Sequence, residues 1–489
     1  MVSRASSNRW GRGVFATKSL GDGPLLTAKC RVMRYAPLLV AALAVSACGP
    51  SARPTPPASP ETLPEAPIVE PQAHEGVAEG ENVSPVENVE PAPIVESPAA
   101  PQAPEAPLQV LNPADASNAL GFDLYARIRA KSGNLAFSPA SVMAALAMTY
   151  GGAAGHTRDE MARVLRLDPG PEGATAVGKA FSEFTKKDGK GVVLRMANRL
   201  FGDARHEFEP EFLEATKTAF GAPFATMDFR TAYEPARLSI NQWVASQTER
   251  KIRDLIPVGG VRPETRLVLV NAVYFLGKWQ NAFDKKATRP DSFYLPSGSA
   301  KQVPMMHASG QRRYGEAPGV KLLELDYKDD DFAMLFVLPN ARDGLGAVEA
   351  SLSPEVFGRW AGALHGATTD VVLPKFKIDP TESLSLSQPL NELGMQLAFD
   401  RAEADFSHMA KIRTPEERLA IADVFHKAFV AVDEEGTEAA AATGVVMAVP
   451  TSTRPPQKKV FRADHPFLFF LRHKPTGLVL FMGRVVDPA

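Results

Sequence analysis

The sequence predicts an α+β fold carried by one large domain, and three observations lead there. The 489-residue chain changes composition once, near Asn112, from proline-rich text to alternating helical and strand patterns, and does not change back. Helix patterns come first and strands mixed with helices follow, without the regular alternation of a βαβ repeat. Two runs, "LVLVNAVYF" and "DFAMLFVLP", are apolar on both faces, which marks central strands of a covered sheet. A domain of roughly 375 residues exceeds the usual size of one core and implies a multi-sheet architecture.

Within that domain, 113–489, the elements can be justified in order. "DASNALGFDLYARIRA" places apolar residues at helical spacing behind an Asp/Ser start. "ASVMAALAMTYGGAA" is an apolar helix that stops at glycines. "HTRDEMARVLRL" sets Thr157 three residues before Glu160, which reads as a capping box. "SINQWVASQTERKIRDLI" reads as another helix. Strands are expected in "RLVLVNAVYFLG", "KLLELDY", "FAMLFVLP", "TDVVLPKFKI", "FLFFLRH" and "GLVLFMGRVV". "KDDD" (328–331), between two of them, reads as a hairpin turn with solvated charge rather than a calcium site.

The 112 residues before the domain divide in two. Residues 1–48 read as an export region. "MRYAPLLVAALAVSAC" has a basic start, an apolar run too short to span a bilayer comfortably, and then Cys48. "VSAC" is similar to the lipobox of bacterial lipoproteins, whose cysteine is acylated. Met33 begins a more ordinary signal than Met1, and an ordinary signal peptide cut nearby is the alternative. The expectation is an exported protein, lipid-anchored through Cys48 to a bacterial membrane and facing the periplasm or the cell exterior. Residues 49–112 are rich in proline, alanine, glutamate and valine, with "APIVE" at 66–70 and again at 92–96. Frequent proline favours extended chain, so the segment reads as an acidic tether. Its reach is on the order of 100 Å or more when mostly extended, at about 3.1 Å per residue.

Composition and motifs exclude several classes of function. A net charge of -2, with no basic stripe bearing aromatics, argues against nucleic acid as a partner. The two cysteines, Cys30 and Cys48, precede the domain, which therefore has no disulfide, thiolate zinc site or cysteine nucleophile. There is no G-x-S-x-G elbow, H-E-x-x-H, P-loop or G-x-G-x-x-G after a strand. His206–Glu207 lacks the second histidine that zinc needs. The expectation is a monomer that is not an enzyme and has no catalytic residue, cofactor or metal. An anchored hydrolase is the competing class, opposed by the missing nucleophile motifs.

One stretch, "EEGTEAAAATGVVMAV" (434–449), fits neither helix nor strand. The chain around it carries a resemblance. "VFRADHPFLFFLRHKPTGLVLFMGRVVDP" resembles the C-terminal motif of the serpins, the serine protease inhibitor family. "NLAFSPASVMAALAMTYGGAAGHTRDEM", "MANRLFGD", "INQWVASQTERKIRDLI" and "LVLVNAVYFLGKWQNAFDKKAT" are similar to further blocks of that family, in family order, from about Pro113 to Pro488. The resemblance implies three β-sheets, about nine helices and an exposed reactive-centre loop. It also implies a suicide mechanism, in which a protease acylates itself on the loop and the cut loop inserts into the main sheet as a new strand.

The odd stretch matches the family's hinge at Glu434, Gly436, Thr437, Ala439, Ala440, Ala441, Ala442 and Thr443. As a strand it would put Thr437, Ala439, Ala441, Thr443, Val445 and Met447 on one uncharged face and Glu438 on the other. The resemblance further assigns Ser138, Pro139, Ser141, Asn271 and His426 to a shutter beneath the sheet, and Trp279 with Glu434 to the breach where insertion begins. The family's spacing places the cleaved carbonyl at Pro450, with Val449 and Thr451 as neighbouring candidates. Val445–Thr451 suggests an elastase- or subtilisin-like serine protease as partner, with cysteine proteases as a second class. A non-inhibitory serpin acting as a binding protein is the alternative reading, and the complete hinge argues against it.

Overall fold

The computed structural model describes residues 108–170, 172–437 and 458–488. The signal region, the tether, the hinge residues Ala439 to Thr443 and the candidate scissile positions Val449, Pro450 and Thr451 lie outside them. Among the described residues there are nine α-helices and 17 strands. No helix among them is long and apolar enough to cross a membrane.

The first helix, Pro113–Ile128, is capped by Asn112, whose side chain accepts from the amides of Ala114 and Asp115. The second, Pro139–Tyr150, is buried at every residue, as expected of a helix that is apolar all round. Ser138 caps it and Pro139 fills its first turn, where a missing N–H costs nothing. It ends at Gly151.

The capping box expected in the third helix is absent. Gly155–Leu165 has Ala154 at its N-cap and no side-chain cap. Thr157 Oγ1 instead accepts from the Asp405 amide at 2.9 Å, and Glu160 accepts from the amides of Gln396 and Leu397 at 2.8 and 2.7 Å. The same residue types satisfy orphan amides of a distant segment, because tertiary packing turned them outward from their own helix.

The main sheet runs, in order, Phe376–Ile378, Ile421–Val432, Gly436–Thr437, Leu267–Lys278, Val192–Asp203 and Lys186–Gly189. Its inner face rests on the buried helix Pro139–Tyr150 and the larger core. Its outer face carries a second core of Ala197, Val268, Val270, Ala272, Tyr274, Phe425 and Phe429, packed against Ile240 and Val244 of the helix Tyr233–Gln247. That helix stops at Gln247, so only the first half of "SINQWVASQTERKIRDLI" is helical. Glu249, Arg250 and Asp254 follow with φ of 50, 62 and 48° and turn the chain across the sheet.

The second network contains Leu135–Phe137, Val479–Val485, Phe467–His473, Phe332–Pro339, Val320–Asp326, Ala300–Ala317, His365–Pro374 and Lys459–Arg462, with Arg289–Tyr294 on Ala300–Ala317. The two smaller sheets of the expected three are joined here, because the 18-residue strand Ala300–Ala317 serves both. It pairs with Arg289–Tyr294 and His365–Pro374 first, then with Val320–Asp326.

"TDVVLPKFKI", read as one strand, is two. His365–Pro374 lies in this network and Phe376–Ile378 in the main sheet. Pro374 has no N–H with which to continue the ladder. The "KDDD" turn does join two strands, Val320–Asp326 and Phe332–Pro339. Its Asp329 is nevertheless buried, against Lys187 Nζ at 3.0 Å, rather than solvated.

Candidate functional site: a seam that closes below and parts above

The centre of the main sheet is a parallel pair. Ile421–Val432 runs beside Leu267–Lys278, paired from Ile421↔Leu267 through His426↔Asn271 to Phe429↔Tyr274. Above Tyr274 the two strands separate. The chain leaving Val432 turns back at Asp433–Glu435 and sends Gly436–Thr437 down between them. Thr437 pairs antiparallel with Val432 on one side and Gly277 on the other, and Gly436 pairs with Lys278. The hinge has thus entered the sheet by two residues, above a seam that is still closed.

The turn is held from several elements at once. Asp433 Oδ1 accepts from the amides of Glu435 and Gly436 at 2.9 and 3.1 Å. Trp279 donates from Nε1 to the Asp433 carbonyl at 3.0 Å and from its amide to the Glu435 carbonyl at 2.8 Å. Its ring stacks on Tyr327 with centroids 4.5 Å apart. The hydroxyls of Tyr327 and Thr437 share a hydrogen bond at 2.6 Å, and both residues are buried. Glu434 is 4% exposed and is bound by Thr288 Oγ1 and Lys375 Nζ, each at 2.8 Å. Burial works against its charge, but these partners more than offset it and hold the carboxyl below the usual range. Glu435 pairs with Lys285.

Gly436 is required by a close approach. A Cβ there would sit 1.9 Å from the Gly277 carbonyl oxygen, which is backbone and cannot step aside. Gly436→Ala is therefore expected to lift the hinge out of the sheet. The check is amide hydrogen exchange. The Thr437 amide should lose its protection while the seam below keeps it.

The shutter lies under the seam, and the structure assembles it from four elements. Ser138 Oγ accepts from the Ser141 amide at 3.2 Å. The Ser138 amide donates to His426 Nε2 at 3.0 Å. Nε2 is thus an acceptor, so the proton sits on Nδ1, which donates to Asn271 Oδ1. Asn271 Nδ2 donates to Asn198 Oδ1 at 2.9 Å, and Ser141 Oγ donates to the same oxygen at 2.7 Å. His426 is fully buried, and burial drives its pKa from 6.5 down to about 3, with Asn271 acting weakly the other way.

The seven residues that the sequence assigns to shutter and breach fall into two groups, Ser138, Pro139, Ser141, Asn271 and His426 below, Trp279 with Glu434 above. Sequence reasoning missed Asn198, although "MANRLFGD" was singled out. An asparagine in the middle of a strand with apolar neighbours was the available signal, because such a residue needs partners. Thr288, Lys375 and Tyr327 gave no such signal. His206 and Glu207 are tied into loops, by the Glu417 carbonyl at 2.9 Å and by Lys411 with Arg413. Among the described residues no group of acids, histidines or cysteines could hold a metal ion.

Comparison with known proteins agrees with this geometry. A family model described as serpin (serine protease inhibitor) matches residues 115–488. Leukocyte elastase inhibitor A of Rattus norvegicus is 38% identical over 385 residues, 77% of this chain and 99% of that protein. Serpin B8 of Homo sapiens is 40% identical over 361 residues, 73% of this chain and 94% of the relative. The crystal structure of uncleaved ovalbumin superposes with a TM-score of 0.69 at 30% identity, covering 77% of this chain and all of that one.

Proposed function

The chain belongs to the serpin family, and from that premise we propose that it is an irreversible inhibitor of serine proteases, working by insertion of its own cleaved loop. The observation that carries this is the hinge. Gly436–Thr437 already lies between two strands that pair directly with each other lower down, so the next residues can enter only by parting that seam. A cut loop gains a ladder on both sides as it goes. Small uncharged residues at 439–443 let it do so without prising the sheet wider than one strand. A protease attached to the loop as an acyl-enzyme would be carried along before water could release it.

The target we infer is an elastase- or subtilisin-like enzyme, from the apolar run Val445–Val449 and from relatives named as elastase inhibitors. Cysteine proteases are the second class. We further propose export and a lipid anchor at Cys48, supported by the apolar run, "VSAC" and the acidic tether behind it.

The test is to incubate the protein with elastase-, subtilisin-, chymotrypsin- and trypsin-like proteases and denature in SDS. A covalent complex with at least one is the expected result. Cleavage between Val445 and Ser452 with no complex from any of them would refute inhibition.

A further inference from the structure

The "KDDD" turn, which joins two strands of the second network, fastens the outer half of the main sheet to the rest of the protein. That half consists of Lys186–Gly189, Val192–Asp203 and Leu267–Lys278, laddered to one another through Lys187↔Leu194 and Leu194↔Phe275. All three strands lie on one side of the seam, so they move together when it parts.

The turn holds the two edges of this half differently. At the inner edge the bonds lie beside the hinge. The Lys328 amide donates to the Lys278 carbonyl and the Gln280 amide to the Asp326 carbonyl, each at 2.8 Å, and Gln280 Nε2 donates to Asp330 Oδ1 at 2.8 Å. Gly436 pairs with Lys278 at this level, where the hinge has already parted the seam. Insertion leaves these bonds in place, and they serve as a pivot. At the outer edge the fastening is one side chain. Lys187 Nζ lies 3.0 Å from Asp329 Oδ2 and 4.4 Å from the centroid of the Phe332 ring. Asp329 is buried, and the other donor to its carboxylate among the described residues is the Asp331 amide, at 3.4 Å.

We propose that Lys187 and Asp329 form a latch, which holds the main sheet closed until a cut loop drives it open. The reason is what the swing does to the pair. To admit a strand, the foot of the sheet at Leu267 must shift by about 4.8 Å, at a depth of about 34 Å below Gly277. About a pivot at Lys278 that is a rotation of about 8°, and it carries Lys187, which sits on the third strand out at the level of Phe275, by about 1.5–2 Å. Asp329 and Phe332 stay behind with the second network. A carboxylate out of water then loses part of its contact with its counter-ion, which is costly. The contact is whole in the closed sheet and impaired in the open one, so it biases the equilibrium toward closure. The latch rests on the insertion reading above, and the experiment separates the two.

The experiment compares the full chain, uncut, with the same chain cut in its loop by limited proteolysis. The cut wild type should melt well above the uncut protein, because the loop has inserted. The double variant Lys187→Met, Asp329→Asn removes the pair without leaving a buried charge. Uncut, it should exchange its amides at 267–269 and 421–424 severalfold faster than wild type, with the Gln280 amide unchanged, and lose its capacity to trap protease severalfold faster on storage. Cut, it should melt as the cut wild type does. Asp329→Asn alone should act in the same direction, and it carries the test if the double variant fails to fold. Equal lowering of the cut and uncut melting temperatures, or unchanged exchange at the foot of the seam, overturns the latch. A cut wild type that melts no higher than the uncut protein overturns the insertion reading instead.

Discussion

Thr437→Arg should turn the protein from an inhibitor into a substrate. Thr437 is 1% exposed, seated between Val432 and Gly277 with its hydroxyl on Tyr327. It faces the inner core, where its neighbours across the ladder are apolar. Arginine there would either bring a charge into that core, at a cost of several kcal/mol, or keep the hinge outside the sheet. In both cases the first step of insertion is lost while the loop remains open to attack. Insertion competes with hydrolysis of the acyl-enzyme, and each 1.36 kcal/mol on its barrier shifts that competition about tenfold. The molecules of variant consumed per protease inactivated should therefore rise by at least about tenfold, and the SDS-resistant complex should give way to cleaved protein. An unchanged yield of complex would mean that insertion does not begin at Thr437.

That prediction could be framed from the sequence because the hinge is a local pattern. Glu434, Gly436 and Thr437 follow one another, and each meets a requirement of the backbone beside it. The rest of the breach was not legible for the opposite reason. Glu434 is held by Thr288 and Lys375, 146 and 59 residues away, and nothing local to a threonine or a lysine foretells a buried carboxylate arriving from elsewhere. Lys375 reaches it because Pro374 ends one strand and the chain crosses between sheets there, a break that apolar periodicity alone passed over. The misreading of Thr157 and Glu160 has the same origin. Their types and spacing satisfy a capping rule, but the amides they serve belong to another segment. Strand interiors were the legible part. Phe332–Pro339 and nearly all of Leu267–Lys278 are buried on both faces, as their apolar runs, the second interrupted at Asn271, required.

His426→Ala should destabilise the closed seam and hasten its loss. The substitution leaves the Ser138 amide and Asn271 Oδ1 buried without their partner, at about 1–3 kcal/mol each. Uncleaved protein should unfold at a lower temperature and lose its capacity to trap protease on storage, as the loop inserts unaided. Unchanged thermal stability and unchanged decay would remove the histidine from the switch.

Acid should act in the same direction through the same group. In the folded protein His426 takes up a proton only near pH 3, whereas in the unfolded chain it does so near 6.5. The unfolded state therefore binds more protons between those values. The stability owed to neutral His426 is complete above about pH 6.5 and falls as the pH drops toward 3. In His426→Ala that part of the pH dependence should vanish, whereas acid sensitivity due to Glu434, whose lowered pKa acts below the ordinary carboxylate range, should persist.

The register gives the shutter its part in the mechanism. The two ladders that flank Thr437 pair it with Val432 and Gly277. Carried down the seam one residue at a time, both bring Thr443 level with His426 and Asn271, which pair with each other while the seam is closed. Insertion must break that contact, and it delivers a hydroxyl to the place where it was broken. A threonine ending a run of four alanines is then the residue able to replace the lost hydrogen bond, and the imidazole can remain neutral and buried in both states.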